Sequence, residues 1–106
     1  MTKACYIMTR AEQEKLLVAD IKWIMQIPNP DVSIYHWVEK FVVPAVKITV
    51  YAGGRKFVLE DIPGNTSSLD VVVDNKKPFW VTGRENATEL LNIRQQLLDK
   101  YDTKTK

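Results

Sequence analysis

The side chains that most often carry catalysis are few in this sequence. His36 is the single histidine and Cys5 the single cysteine. Acid–base and nucleophilic catalysis need groups that converge, such as a nucleophile within hydrogen-bond reach of a base. His36 lies beside Trp37 in an apolar stretch, and Cys5 lies in the apolar run ACYIM, so a packed histidine and a buried thiol are expected. One histidine and one cysteine also provide too few ligands for a zinc site within one chain.

Carboxylates at strand ends are the remaining candidates for acid–base or cation chemistry. Glu60 and Asp61 follow one apolar run, and Asp70 and Asp74 flank another. Aspartate at the end of a strand commonly starts a turn, and the spacing does not match a calcium-binding EF-hand loop. We therefore predict a protein that is not an enzyme, with no catalytic, cofactor-binding or metal-binding residues.

The stretch YAGGRKF, residues 51–57, places Gly53 and Gly54 directly before two cations. Such a loop can hold phosphate groups, or it can be a tight hairpin turn. The frame of a nucleotide-binding P-loop is absent, and a strand pattern follows, whereas phosphate loops lead into a helix N-terminus. The glycines are therefore predicted to form a two-residue turn, in which both residues have positive φ.

The register of this hairpin follows from its turn. Apolar and polar residues alternate on both sides of the glycines, which is the period of a strand with one buried face. The two-residue turn sets these opposite pairs: Val50 and Phe57, Ile48 and Leu59, Tyr51 and Lys56, Thr49 and Val58, and Lys47 and Glu60. Each pair is apolar, compatible or opposite in charge, so one register satisfies the whole hairpin.

A second hairpin is predicted from LDVVVD, a turn at residues 75–77 (NKK), and PFWVT. A three-residue loop sets these opposite pairs: Val73 and Phe79, Val71 and Val81, and Val72 and Trp80. Pro78 has no N–H to donate to a neighbouring strand, which indicates an edge strand or the start of a strand. The two hairpins together form a meander of four strands.

Two helices have clear start signals. Thr9 and Glu12 form a capping box for a helix that ends shortly before Pro28. Asn86 and Glu89 form a similar cap for a C-terminal helix. The apolar stripe of the first helix comprises Leu17, Ile21 and Ile24, widened by Leu16, Val18 and Trp23. The stripe of the last helix comprises Leu90, Ile93, Leu97 and Tyr101.

Residues 30–43 are ambiguous between helix and strand. Asn29, Pro30 and Asp31 form a strong helix start, and apolar residues then recur at helical spacing, whereas the many β-branched and aromatic residues favour a strand. We interpret the stretch as a helix. The predicted order is β-α-α-β-β-β-β-α, an α+β fold in which an antiparallel meander, with or without ACYIM as a fifth N-terminal strand, packs with about three helices.

The composition indicates a single soluble domain. The 106 residues suit one domain, predicted over residues 1–101 and followed by a frayed polar tail at 102–106. The single cysteine excludes an internal disulfide and suits a reducing compartment. Neither a signal peptide nor a membrane-spanning run is visible, so a cytoplasmic location with no membrane partner is expected.

One face of the predicted sheet is a candidate partner surface, to which Tyr51, Val58, Val72 and Trp80 point. If a helix covers this face, these residues form a second core layer. If none does, they form an apolar patch with an aromatic anchor, as in protein-interaction sites. We predict a small regulator, adaptor or inhibitor that binds a protein partner through these residues, and homodimerisation is compatible with this role.

The hairpin tips support a second hypothesis, nucleic-acid binding. If both hairpins belong to one sheet in sequence order, Arg55, Lys56, Lys76 and Lys77 gather at one rim. Cations beside Tyr51 can bind phosphates and stack a base. Lysine and arginine at hairpin tips also protect sheet edges, however, and a net charge of +2 is low for a nucleic-acid binder.

Overall fold

The computed structural model describes residues 7–38, 44–62 and 65–102. These residues form two helices and five strands in the following order: α1 (Arg10–Met25), β1 (Asp31–Val38), β2 (Pro44–Ala52), β3 (Arg55–Ile62), β4 (Asn65–Val73), β5 (Phe79–Val81) and α2 (Arg84–Tyr101). Each strand pairs antiparallel with the next, so the sheet order is β1-β2-β3-β4-β5. The predicted α+β class and antiparallel sheet are confirmed.

Both helices pack on one face of this sheet. The buried core joins residues of α1 and α2 to alternate residues of β2, β3 and β4. Its members include Val18, Ile21, Ile24, Ile48, Val50, Phe57, Leu59, Val71, Val73, Leu90 and Leu97. Because successive side chains of a strand point to opposite faces, the strand residues between these positions point away from the helices.

The start and end of α1 agree with the prediction. The Thr9 hydroxyl accepts a hydrogen bond from the Glu12 N–H at 3.1 Å, and the Glu12 carboxylate accepts one from the Thr9 N–H at 2.8 Å. These two bonds are the predicted capping box. Leu16 and Trp23, predicted to widen the apolar stripe, are instead exposed, because their positions lie on the side of the helix away from Ile21.

Residues 31–38 form the strand β1, which corrects this part of the helix predicted over residues 30–43, whereas residues 39–43 lie outside the described residues. Asn29, the predicted N-cap, has a φ of 58°, which is left-handed rather than the extended conformation of a cap. Pro30 also disfavours helical conformation in the residue before it. The β-branched and aromatic residues of this stretch fit a half-buried strand, and pairing with β2 satisfies the backbone groups on one side of it.

Both ends of the chain extend beyond the described residues. Residues 4–6 of the predicted N-terminal strand ACYIM lie outside the described part, and Ile7 and Met8 precede α1 without forming a strand. In the described part, the fifth strand of the sheet is β1, and the helices number two rather than three. Asp102, assigned to the tail, is buried, and its N–H donates to the Leu98 carbonyl at 3.0 Å.

The hairpin of β2 and β3 has the predicted turn and register. Gly53 and Gly54 have φ values of 56° and 77°. All five predicted cross-strand pairs are observed, from Tyr51 and Lys56 next to the turn to Lys47 and Glu60. The turn chemistry and the alternation of apolar residues therefore suffice to determine this hairpin.

Alanine substitutions at the two glycines test the environment of the turn. Gly53→Ala is expected to cost about 1–3 kcal/mol of unfolding free energy and Gly54→Ala about 1 kcal/mol, since both require a strained left-handed residue. The larger cost at Gly53 arises because an added Cβ would lie 3.0 Å from Cγ2 of Ile27, whereas nothing lies within 4 Å at Gly54. Urea unfolding measures the two losses of unfolding free energy. An equal loss for both variants, or a larger loss for Gly54→Ala, would contradict the close contact between Gly53 and Ile27.

The hairpin of β4 and β5 has a longer connection than predicted. Val71, not Val73, lies opposite Phe79, so the observed register differs from the predicted one by two residues. Asp74 adopts a φ of 52°, and its N–H donates to the Lys56 carbonyl at 2.8 Å, which ends β4 against the first hairpin. A shift of two residues leaves every side chain on its predicted face.

The helix α2 begins earlier than predicted. Its N-cap is Gly83, which has no side chain to satisfy the first backbone donors, rather than Asn86. The carboxylate of Glu14 in α1 accepts hydrogen bonds from the Gly83 N–H at 2.9 Å and from the Asn86 side chain at 3.3 Å. A residue far away in the sequence therefore caps α2, and no local pattern at its start reveals this.

Candidate protein-binding surface

The sheet has a face that neither α1 nor α2 covers, which we call the open face. Its residues lie between the core positions of the strands, namely Ser33, Tyr35, Trp37, Lys47, Thr49, Tyr51, Lys56, Val58, Glu60, Asp70, Val72 and Trp80. Tyr35 is 62% exposed, and Tyr51 and Trp80 are each 48% exposed. Large aromatic side chains usually bury most of their surface, so this degree of exposure is notable.

All four predicted partner-binding residues lie on the open face. Val58 is opposite Val72 on the neighbouring strand and is buried between its neighbours, although no described helix covers it. Tyr51 is on β2 beside the glycine turn, and Trp80 is on the edge strand β5. Tyr51 and Trp80 therefore lie on opposite sides of a small apolar pair, Val58 and Val72. None of the described helices forms a second core layer over these four residues.

The position of Trp80 is held by two hydrogen bonds. Its indole N–H donates to the hydroxyl of the buried Ser68 at 2.8 Å. Its backbone carbonyl accepts a hydrogen bond from the Arg10 guanidinium, which also lies 4.7 Å from the centre of the Phe79 ring. Half of the Trp80 surface is exposed although the ring is already oriented, so a partner would lose little additional side-chain entropy when it binds there.

Tyr35 and Trp37 enlarge the open face, and the sequence prediction missed them. Their rings stack with centroids 5.9 Å apart and an angle of 20° between planes. They line a shallow groove of about 490 Å³ together with Ser33, Lys47, Thr49 and Glu60. The helical interpretation of this stretch concealed them, although the alternation in DVSIYHWV would have placed both on one face of a strand.

The charges at the centre of the open face are mixed. Lys47 lies opposite Glu60, and Glu60 lies opposite Asp70 on the next strand. The ion pairs within 4.0 Å in the described part of the chain involve none of these three residues. Two neighbouring carboxylates are mildly destabilising within a sheet, and they are free to pair with groups of a partner.

The four cations of the alternative hypothesis do gather at one end of the sheet, and we call them the basic rim: Arg55, Lys56, Lys76 and Lys77. Arg55 lies 2.5 Å from the Asp74 carboxylate and 3.8 Å from that of Asp20. The hydrogen bond from Arg55 lowers the pKa of Asp74, and the same bond raises the pKa of Arg55. The charge of Arg55 is thus balanced within the protein.

Lys56 is also engaged. Its ammonium group donates to the Asn75 side chain at 3.0 Å and lies 5.3 Å from the centre of the Tyr51 ring. Lys76 and Lys77 are exposed and make no hydrogen bond or ion pair of this kind in the described part of the chain, although the charge of Lys76 adds to that of Arg55 in lowering the pKa of Asp74. This end of the sheet therefore presents less positive charge than the sequence suggests.

The single histidine contacts one carboxylate. Nε2 of His36 lies 3.0 Å from Oδ1 of Asp102, which joins β1 to the end of α2. Within residues 7–38, 44–62 and 65–102, no three histidine, cysteine, aspartate or glutamate side chains converge on a possible metal site. Cys5 lies outside the described residues.

Comparisons with known proteins find no match among protein-family models, curated proteins or solved structures. The functional argument therefore rests on the chemistry of the surface itself. No helix in the described part of the chain is both long and apolar enough to cross a membrane.

Proposed function

We propose that this protein is a non-enzymatic interaction module, a regulator, adaptor or inhibitor, that binds a protein partner on the open face. The observation that carries the proposal is the exposure of Tyr35, Tyr51 and Trp80 on the sheet face opposite both helices. Tyrosine and tryptophan are enriched among the residues that dominate binding energy in protein interfaces. The single cysteine further supports a cytoplasmic location for this activity.

The dimensions of the face suit a protein rather than a small molecule. Tyr35 and Trp80 belong to the two edge strands, which are four strand spacings apart, or about 19 Å. The row directly between them is Lys47, Glu60 and Asp70, and Val58 and Val72 lie in the neighbouring row. The aromatic residues support a partner-binding surface, because aromatic residues are enriched in protein interfaces, and the charges between them would pair with opposite charges of the partner.

Substitution of Trp80 tests the proposal. Trp80→Ala and Tyr51→Ala are each expected to weaken partner binding by about 30-fold or more, because an aromatic residue that anchors an interface contributes on the order of 2 kcal/mol. Immobilised protein is incubated with an extract of the organism that encodes it, and the affinity of the captured protein is then measured for each variant. Trp23→Ala is the matched control, since Trp23 is also exposed but lies on α1.

The same experiment separates the competing functions. Circular dichroism and urea unfolding first establish that each variant is folded. If Trp80→Ala binds as tightly as Trp23→Ala, the open face is not the interface. If the captured material is nucleic acid, released by salt and lost when Lys76 and Lys77 are both neutralised, the alternative hypothesis replaces this one.

A further inference from the structure

A second recess lies on the helix side of the molecule, and we call it the α1–α2 pocket. It has a volume of about 380 Å³ and is lined by the end of α1, the connection to β1 and the last turns of α2. Pockets that bind small molecules typically have volumes of about 300–1,000 Å³.

The inner part of the α1–α2 pocket is apolar. Val50 of β2 and Leu97 of α2 are both buried, and Met25 and Ile27 pack against the same core. Tyr101 adds an aromatic surface at the side. A hydrocarbon or aromatic group placed here would remove apolar surface from water, which is the main source of affinity for small apolar groups.

One wall of the pocket is rigid. Asn29 lies between Pro28 and Pro30, whose rings fix their own φ angles, and Asn29 itself has a φ of 58°. A left-handed residue other than glycine carries strain, and such strain is often found at binding sites. Ile27 is in turn held against Gly53, so the wall is anchored on the turn of the β2–β3 hairpin. This wall is preorganised, which reduces the entropy that a ligand must overcome.

The polar groups of the pocket favour an anion. Gln26, Asn29 and Gln96 provide carboxamides, and Lys100 provides the cation, whereas no aspartate or glutamate of residues 7–38, 44–62 and 65–102 lines the pocket. The ion pairs of the described residues do not include Lys100, whose ammonium group lies 5.4 Å from the centre of the Tyr101 ring. A carboxylate is therefore the group that complements this site, since a cation without a counter-ion gains from pairing.

We propose that the α1–α2 pocket binds a small amphipathic carboxylate. The apolar or aromatic body of the ligand packs on the half-buried Met25, Ile27 and Tyr101, and its carboxylate pairs with Lys100 and accepts hydrogen bonds from the carboxamides. This site lies on the helix side of the sheet, whereas the open face is on the other side. The two proposals are thus independent, and either can fail without the other.

The test uses 2-naphthoate and its uncharged analogue 2-naphthamide as probes. Calorimetric titration and amide-resolved NMR are expected to show that 2-naphthoate binds at least tenfold more tightly than 2-naphthamide, with shifts concentrated at Met25, Ile27 and Leu97. Lys100→Gln is expected to weaken 2-naphthoate binding by about tenfold, the loss of one charge-assisted hydrogen bond, and to leave 2-naphthamide unchanged. Lys22→Gln, at an exposed lysine of α1, is the matched control and should change neither.

Three results would overturn the proposal. The first is a failure of both probes to bind. The second is equal affinity for 2-naphthoate and 2-naphthamide, or an equal loss of 2-naphthoate affinity in Lys100→Gln and Lys22→Gln. The third is a set of NMR shifts at Tyr35 and Trp37, which would show that the probe occupies the groove on the open face instead.

Discussion

We expect Glu14→Ala to lower the free energy of unfolding by about 2–4 kcal/mol, because it removes the charged acceptor of three part-buried hydrogen bonds. Glu14 is only 1% exposed. Its carboxylate accepts hydrogen bonds from the N–H groups of Thr82 at 3.0 Å and Gly83 at 2.9 Å. Arg10 lies 3.4 Å away on the same helix. The loss would leave the start of α2 without a cap, so both helices would be weakened together.

The size of the effect is checked by urea unfolding of three variants. Glu14→Gln keeps the shape but replaces one acceptor by a donor, so a loss of about 1–3 kcal/mol is expected. Glu85→Ala is the matched control, because Glu85 is an exposed acid in the first turn of α2, and its loss should stay within about 0.5 kcal/mol. A loss below about 1 kcal/mol for Glu14→Ala would contradict the capping role.

The Glu14 carboxylate also makes the free energy of unfolding depend on pH. Burial acts to raise the pKa of Glu14, but the hydrogen bonds from Thr82, Asn86 and Gly83 and the charge of Arg10 outweigh it, so the pKa lies below its ordinary value of 4.5. A carboxyl group whose pKa is lower in the folded state stabilises the fold above its unfolded-state pKa and loses that contribution as the pH falls through the folded-state value. The wild type is therefore expected to lose more stability than Glu14→Gln between pH 6 and pH 3.

The second large effect is expected at Asp61, where substitution by alanine should cost about 2–4 kcal/mol. The Asp61 carboxylate accepts two hydrogen bonds from the Arg94 guanidinium, at 2.9 Å and 2.8 Å, and a third from the Val46 N–H at 2.9 Å. Arg94 belongs to α2, and Val46 belongs to β2. The carboxylate thus connects the helix to the sheet at the irregularity in register between Asp61 and Ile62.

A comparison of two ion pairs tests whether the Asp61–Arg94 pair contributes more to stability than an exposed ion pair does. Lys22 and Glu89 also join two elements, α1 and α2, but both side chains are about half exposed. Lys22→Ala should therefore cost at most about 1 kcal/mol. Chemical denaturation of Asp61→Ala and Lys22→Ala measures the difference. Equal losses for both variants would show that the Asp61–Arg94 pair contributes no more than an exposed pair.

Local sequence signals determined the parts of this fold whose partners are close in the chain. The capping box of Thr9 and Glu12 and the glycine turn each satisfy their own backbone within a few residues, so pattern alone located α1 and set the register of β2 and β3. The cap of α2 could not be found in this way. Glu14 reads as a polar residue of an exposed helix surface until the fold brings Gly83 against it.

Prediction of the candidate surface depended on the alternation of side chains. Val72 and Trp80 were placed on the correct face despite the error in register, because a shift of two residues preserves the face. Tyr35 was missed because helix and strand patterns overlap where apolar residues are dense. The pairing of Arg55 with Asp74 was likewise invisible in the sequence, since it depends on how closely two turns approach.

Site-specific photo-crosslinking tests the central claim, that a protein partner binds the open face, most directly. A photoreactive benzoyl-phenylalanine replaces Tyr35 or Tyr51 on the open face, and in a third variant it replaces Trp23 on α1 as the control. After irradiation in cells of the organism that encodes the protein, the account predicts the same discrete protein adduct from both tyrosine positions and none from Trp23. An adduct from the Trp23 position alone, or none from either tyrosine position, would contradict it.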